Sequence, residues 1–242
     1  MATTRRLSRE EFYATLAKQS RPSHRPSWYL SAFACLAALN HSEEVASLYT
    51  LLLESYIAEN ERMHQTRMIR EALTTLVGIL GAAKVGNALR SLSDVTPDDL
   101  RDDKCYRKDD DHELAVARGK KFIESVYGKS SENKRGAKSQ KACPDYDFIM
   151  TELLYSHVFS FPDILPVFET GQIIVSAVLA SDCPLQASGH MLGMMRNGAT
   201  REEVNYIRDI CVKMVDYWGV KPFADFVAVP AFDPPVEATV QT

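Results

Sequence analysis

Three polar residues in the last third of the chain, Cys183, Gln186 and His190, have the spacing of one helix face. They stand at positions i, i+3 and i+7, which lie on the same side of an α-helix. Pro184 suits a first helical turn and therefore places Cys183 at the helix start, where free N–H groups favour a thiolate. A thiol and an imidazole on one face can support nucleophilic or acid–base chemistry. The alternative is a cysteine and a histidine that serve only as core residues.

The sequence around these residues resembles the carboxymuconolactone decarboxylase and AhpD-like alkylhydroperoxidase superfamily. The resemblance is carried by the spacing from Cys183 to His190, by the segment Arg196-Asn197-Gly198-Ala199-Thr200-Arg201-Glu202-Glu203-Val204, and by Tyr217 to Pro222. It is good over about residues 145 to 222 and thinner over 110 to 128, with a diverged echo from Arg70 to Leu89. It implies an all-α fold, an AhpD-like helical bundle with a diverged N-terminal helical half, that forms homo-oligomers.

Departures from the family pattern alter the chemistry that the resemblance implies. Gln186 stands where AhpD-type peroxidases carry a second cysteine, so the dithiol–disulfide cycle is lost. Gly171-Gln172 replaces an Arg-Glu pair, so an amide stands in place of a proton-shuttling carboxylate. His157 stands where the family often has a glutamate, and it could point into one pocket together with Glu152.

The predicted site has three catalytic and three substrate-binding residues. The catalytic residues are His190, His157 and Cys183, and the substrate-binding residues are Glu152, Gln172 and Gln186, with no metal and no cofactor. His190 is the first candidate for proton transfer and His157 the second, while Cys183 serves as a pocket wall or weak donor.

The favoured function is a cofactor-independent decarboxylase, or a related lyase or isomerase. Its substrate would be a small carboxylated lactone or oxygenated acid, in aromatic catabolism or specialised-metabolite biosynthesis. One alternative is a thiol-dependent, alkylhydroperoxidase-like antioxidant protein that uses Cys183 alone. The other is a non-catalytic scaffold that keeps the family fold, because a fold does not determine a function.

Composition narrows the class of protein. Hydrophobic residues make up 45% of the 242 residues and charged residues 25%, a balance typical of globular proteins. The net charge is -4, and no basic stripe interleaved with aromatic residues predicts a nucleic-acid partner. The longest apolar run, Ile173 to Ala180, is too short for a membrane helix. Neither nucleic acid nor a membrane is therefore a predicted partner, and the family resemblance implies a small-molecule substrate.

Cysteine usage and the termini predict a cytoplasmic protein. The five cysteines are odd in number and form no CxxC pair, which indicates reduced thiols. Mitochondria are the alternative, because Arg9, Arg21 and Arg25 resemble a presequence, although Glu10 and Glu11 argue against one. Val240-Gln241-Thr242 is not a peroxisomal address.

Helical patterns dominate the chain, and no segment has a convincing strand pattern. Helices are predicted from Ser8 to Lys18, Trp28 to Leu39, Ser42 to Ala58, Glu59 to Leu80, Ala82 to Leu92, His112 to Tyr127, Asp145 to Phe159, Thr170 to Ser181, Pro184 to Asn197 and Arg201 to Trp218. Asp109-Asp110-Asp111 is typical of a solvated surface.

Changes in composition divide the chain into five parts. These are an N-terminal helix and linker (1–27), an N-terminal helical half (28–128), a flexible loop (129–142), the family core (143–222) and a tail (223–242). The segment from Lys129 to Lys141 is rich in lysine, serine and glycine, which predicts a mobile loop.

Overall fold

The computed structural model describes residues 6–20, 25–129, 134–219, 222 and 225–232. Within these ranges the chain is helical and has no β-strand, which confirms the all-α class. The α-helices are α1 (Arg9–Lys18), α2 (Trp28–Leu39), α3 (Ser42–Ser55), α4 (Arg62–Thr75), α5 (Val77–Val95), α6 (His112–Tyr127), α7 (Lys134–Ala142), α8 (Pro144–Phe148), α9 (Val167–Ala180), α10 (Pro184–Arg196) and α11 (Arg201–Tyr217). A π-helix, π1 (Ile149–Phe159), follows α8 directly. The predicted linker residues 21–24 and the end of the tail, 233–242, lie outside these ranges.

The two most apolar helices, α2 and α9, pack against each other at the centre of the molecule. A helix that is apolar on all sides has no face suited to water and is therefore buried. Ten of the twelve residues of α2 are buried. α11 packs against both helices and α10 packs against α9, so residues from the N-terminal half and the predicted core share one hydrophobic cluster.

Capping and apolar patterns in the sequence predicted several helix ends correctly. The capping boxes predicted at Ser8 and Thr200 are both present, with Glu11 and Glu203 as their reciprocal partners. α2 has the predicted bounds, and α6 begins at His112 with Asp111 as its cap.

The helix break predicted at Gly81 is present, but the sequence did not reveal an earlier break. Gly81, with φ of 75° and ψ of 168°, separates two helical segments within α5, whereas α4 ends at Thr75 and does not continue to Leu80 as predicted. In the described part of the chain no single helix is long and apolar enough to cross a membrane. The pair Glu59–Thr75 and Val77–Val95 meets the length and composition requirements only together, across a bend of 114°.

The prediction of a mobile loop over 129–142 is corrected in its second half. Residues 130–133 lie outside the described ranges, and Lys134–Ala142 forms α7. Lysine, arginine, glutamine and alanine are good helix formers even without an apolar face, and this intrinsic preference outweighs the polar composition. The described part of the predicted tail, Asp225 to Phe232, lies along α11, where Arg201 and Arg208 donate to its carbonyl groups.

The predicted helix from Asp145 to Phe159 is α-helical only as far as Phe148. In π1 the hydrogen bonds run from residue i to residue i−5, and such helices are rare. α6 packs closely along π1. A Cβ atom on Gly119 would lie 2.5 Å from Ser156 Oγ and 2.8 Å from Ser156 Cα, so this approach requires glycine.

A bidentate ion pair between Arg25 and Glu203 joins the segment just before α2 to α11. Arg25 Nε lies 2.9 Å from Glu203 Oε1, and its terminal nitrogen lies 2.9 Å from Oε2. Hydrogen bonds from Arg25 and the capping contacts of Thr200 lower the pKa of Glu203 to about 2. The ionised carboxylate therefore stabilises the folded state above its usual pKa near 4.5, and this contribution is lost as the pH falls towards 2.

We expect Glu203→Gln to lower the free energy of unfolding at pH 7 by about 1–2 kcal/mol, because Arg25 is half exposed and solvent weakens the pair. Urea unfolding measured from pH 7 to pH 2.5 should show the difference from wild type shrinking below pH 4.5. Glu54→Gln, which changes an exposed carboxylate on α3, is the control. A constant difference across this range would contradict the assignment.

We expect Gly119→Ala to destabilise the protein by about 1–3 kcal/mol, because the added methyl group overlaps the main chain of Ser156. Gly86→Ala in α5 is the matched control, since its Cβ would meet only the flexible end of Arg90. That control should be neutral or stabilising by up to about 1 kcal/mol. Equal melting temperatures for the two variants would show that α6 and π1 are not closely packed.

Candidate functional site

A cavity of about 470 Å³ opens between π1, α6 and α10. α5, α8 and α9 complete its wall. The described lining residues are Gly78, Ile79, Ile123, Tyr127, Tyr146, Asp147, Ile149, Met150, Thr151, Leu154, Tyr155, Phe159, Val178, Cys183, Gln186 and His190. This volume, with a mainly apolar wall and a few polar groups, is typical of small-molecule sites.

Three of the lining side chains form a hydrogen-bonded relay. The Tyr127 hydroxyl oxygen lies 2.8 Å from the Tyr155 hydroxyl and 3.1 Å from His190 Nε2. Tyr155 comes from π1, Tyr127 is the last residue of α6, and His190 lies on α10. Tyr155 and His190 are buried. The relay therefore links three elements and presents polar atoms to a mainly apolar cavity.

Cys183 and Gln186 lie at the exposed end of the same cavity. A tight turn joins α9 to α10, with Asp182 in the left-handed region at φ 56° and the Cys183 N–H donating to Val178 O at 2.9 Å. Pro184 occupies the first helical turn, as predicted. The Cys183 thiol donates to Ser181 O at 3.5 Å. The structure thus brings together Cys183, Gln186 and His190, the three residues that the helical spacing placed on one face.

The cavity wall is poor in charge. Asp147 is the one carboxylate among its described lining residues, and these include no lysine or arginine. Burial raises the pKa of the Tyr155 phenol well above its usual value. The Tyr155 hydroxyl therefore stays protonated at neutral pH.

His157 lies outside the cavity, which corrects the expectation that it shares a pocket with Glu152. It is two residues from Tyr155, so the two side chains leave π1 on opposite sides. His157 Nδ1 lies 3.1 Å from Asp110 Oδ2, and its Nε2 lies 3.0 Å from Nδ1 of the exposed His112. Glu152 is half-buried and is not a lining residue.

Arginines complete this second polar cluster on the outer side of π1. Arg118 donates to Asp110 Oδ2 at 2.8 Å and to Ser156 O at 3.2 Å. Arg107 donates to His157 O at 2.9 Å and pairs with Glu71. Asp110, predicted to be solvated with its neighbours, is therefore largely buried and paired. In the described ranges no group of three or more His, Cys, Asp and Glu side chains has the geometry of a metal site.

Gln172 is also placed away from the cavity. Its Nε2 donates to Ser27 O at 2.6 Å and to Ser31 Oγ at 2.9 Å, which ties α9 to α2. Gly171, its neighbour, lies against Met194, where a Cβ atom would be 2.9 Å from the Met194 Cγ. The Gly-Gln pair therefore serves close helix packing, which differs from the substrate contact predicted for Gln172.

Sequence reasoning missed the two tyrosines of the relay. Tyr127 ends a helix before Gly128, and Tyr155 lies in a segment of aromatic and apolar residues, so both have the pattern of core residues. Only the i→i+5 turns of π1 and the packing of α6 bring them together. The available signal was the pair of phenols near a candidate histidine, because a buried tyrosine usually needs a hydrogen-bond partner.

Comparison with known proteins gives two related sequences. No family model matches the chain. It is 29% identical over 154 residues to Peroxisomal protein 2 of Schizosaccharomyces pombe, and this alignment covers 63% of this chain and 71% of the relative. It is 22% identical over 261 aligned residues to Peroxisomal protein 2 of Saccharomyces cerevisiae, and that alignment covers 84% of this chain and 92% of the relative.

These relatives contradict two predictions. Both are named as peroxisomal proteins, which conflicts with a cytoplasmic location and with the mitochondrial alternative. Neither is named as a decarboxylase, so the predicted decarboxylase, lyase or isomerase function is withdrawn together with its alternatives.

Proposed function

We propose that this chain is a peroxisomal protein that binds a small, mainly apolar organic molecule in the cavity between π1, α6 and α10. In this proposal the Tyr155–Tyr127–His190 relay hydrogen-bonds the polar group of that molecule and can exchange a proton with it. The two relatives named Peroxisomal protein 2 support the location.

The main support for a binding function is that the relay borders a mainly apolar cavity. Burying a polar group costs free energy unless the group is hydrogen-bonded. A cluster of two phenols and an imidazole in an apolar core therefore points to a functional role. Here the three groups satisfy one another and still border a volume of about 470 Å³. A ligand there would bury hydrocarbon against Ile79, Ile123 and Leu154 and reach the relay with its polar end.

We also propose that residues 143–222 are a diverged branch of the carboxymuconolactone decarboxylase and AhpD-like superfamily. Supporting this, Cys183 and His190 line one cavity at their familial spacing. The homo-oligomer stays a prediction. Light scattering of the purified protein would measure its mass.

We expect a fluorescent fusion of this chain, expressed in Schizosaccharomyces pombe, to coincide with a peroxisomal marker. One strain carries the tag at the N-terminus and another at the C-terminus, because a terminal tag can mask a targeting signal. In a strain deficient in peroxisomal import the signal should become diffuse. A diffuse signal for both fusions in import-competent cells would contradict a peroxisomal location.

We expect the uncharged fluorescent probe N-phenyl-1-naphthylamine to bind the wild-type protein at one saturable site. Ile123→Trp fills the cavity from α6 and should weaken this binding at least about ten-fold. Leu114→Trp is the matched control, because Leu114 lies on the same helix, is exposed and does not line the cavity. Circular dichroism checks that both variants fold. No binding by wild type, or equal binding by both variants, would contradict the proposal.

A further inference from the structure

The charge of the cavity wall limits what the cavity can bind. Its described lining residues include Asp147 but no lysine or arginine, and much of the wall is apolar, with Ile79, Leu154 and Phe159 among its members. An anionic ligand would exchange its hydration for a surface that offers no cation in return. The wall therefore disfavours carboxylates and phosphates.

The buried end of the cavity is formed by the Tyr155–Tyr127–His190 relay, whose groups can each donate or accept a hydrogen bond. If the hydrogen bonds run from Tyr155 towards His190, the Tyr155 oxygen can accept from a ligand hydroxyl. If they run the other way, the Tyr155 hydroxyl can donate to a ligand carbonyl. Both arrangements keep the same number of protons in the relay, so it can adjust to either partner without gaining charge.

Building on the small-molecule site proposed above, we infer that the ligand is uncharged: a mainly apolar molecule that carries a hydroxyl or carbonyl group. Its hydrocarbon part lies along Ile79, Leu154 and Phe159, and its oxygen lies at Tyr155. Tyr155 is 7% exposed, whereas Cys183 lies at the open end of the cavity. Selection for an uncharged group therefore takes place inside the cavity, where a charge would be costly.

The test compares 1-octanol with octanoate as competitors of N-phenyl-1-naphthylamine on the wild-type protein at pH 8. The two molecules have the same chain length, and only octanoate is charged at that pH. We expect octanoate to compete at least about ten-fold more weakly than 1-octanol. Equal competition would overturn the uncharged ligand while leaving the proposed site intact. A probe that does not bind the wild type would overturn both.

A pair of variants tests the position of the ligand oxygen. Tyr155→Phe removes one hydroxyl from the relay and should weaken 1-octanol binding by about three- to ten-fold, after correction for the affinity of the probe. Tyr56→Phe removes a hydroxyl from an exposed tyrosine outside the cavity and should leave the affinity unchanged. Unchanged 1-octanol binding by Tyr155→Phe would show that the oxygen does not lie at Tyr155.

Discussion

The close packing of π1 against α6 is the constraint on which the candidate site depends. Gly119 lets α6 approach the main chain of Ser156, and Arg107 and Arg118 donate to carbonyl groups of π1 from its outer side. These contacts hold the wide i→i+5 turns in place. Because Tyr155 and His157 leave π1 on opposite sides, one helix separates a relay inside the cavity from an Asp–His–His cluster outside it.

Features encoded by local patterns could be predicted from the sequence. The capping boxes at Ser8 and Thr200 and the full extent of α2 follow from side chains within a few positions of one another. The common face of Cys183, Gln186 and His190 follows in the same way, because α10 is a regular helix that begins at Pro184. The structure adds that this face borders a cavity.

Features set by long-range packing could not be predicted. The apolar pattern of residues 149–159 fits an α-helix as well as a π-helix, and no local sequence signal distinguishes the two. Tyr127 and Tyr155 are 28 residues apart, and no local pattern pairs them. The predicted function was wrong for a different reason, because resemblance to a family implies its fold more strongly than its substrate.

We propose that the cavity between π1 and α10 binds an uncharged molecule with its oxygen at Tyr155. A crystal structure of the protein soaked with 1-octanol would test this binding mode, because it locates both ends of the ligand. We expect electron density for one molecule in the cavity, with its oxygen about 2.6–3.0 Å from the Tyr155 hydroxyl. A cavity that contains only water, or a ligand whose oxygen points out past Cys183 to solvent, would contradict the claim.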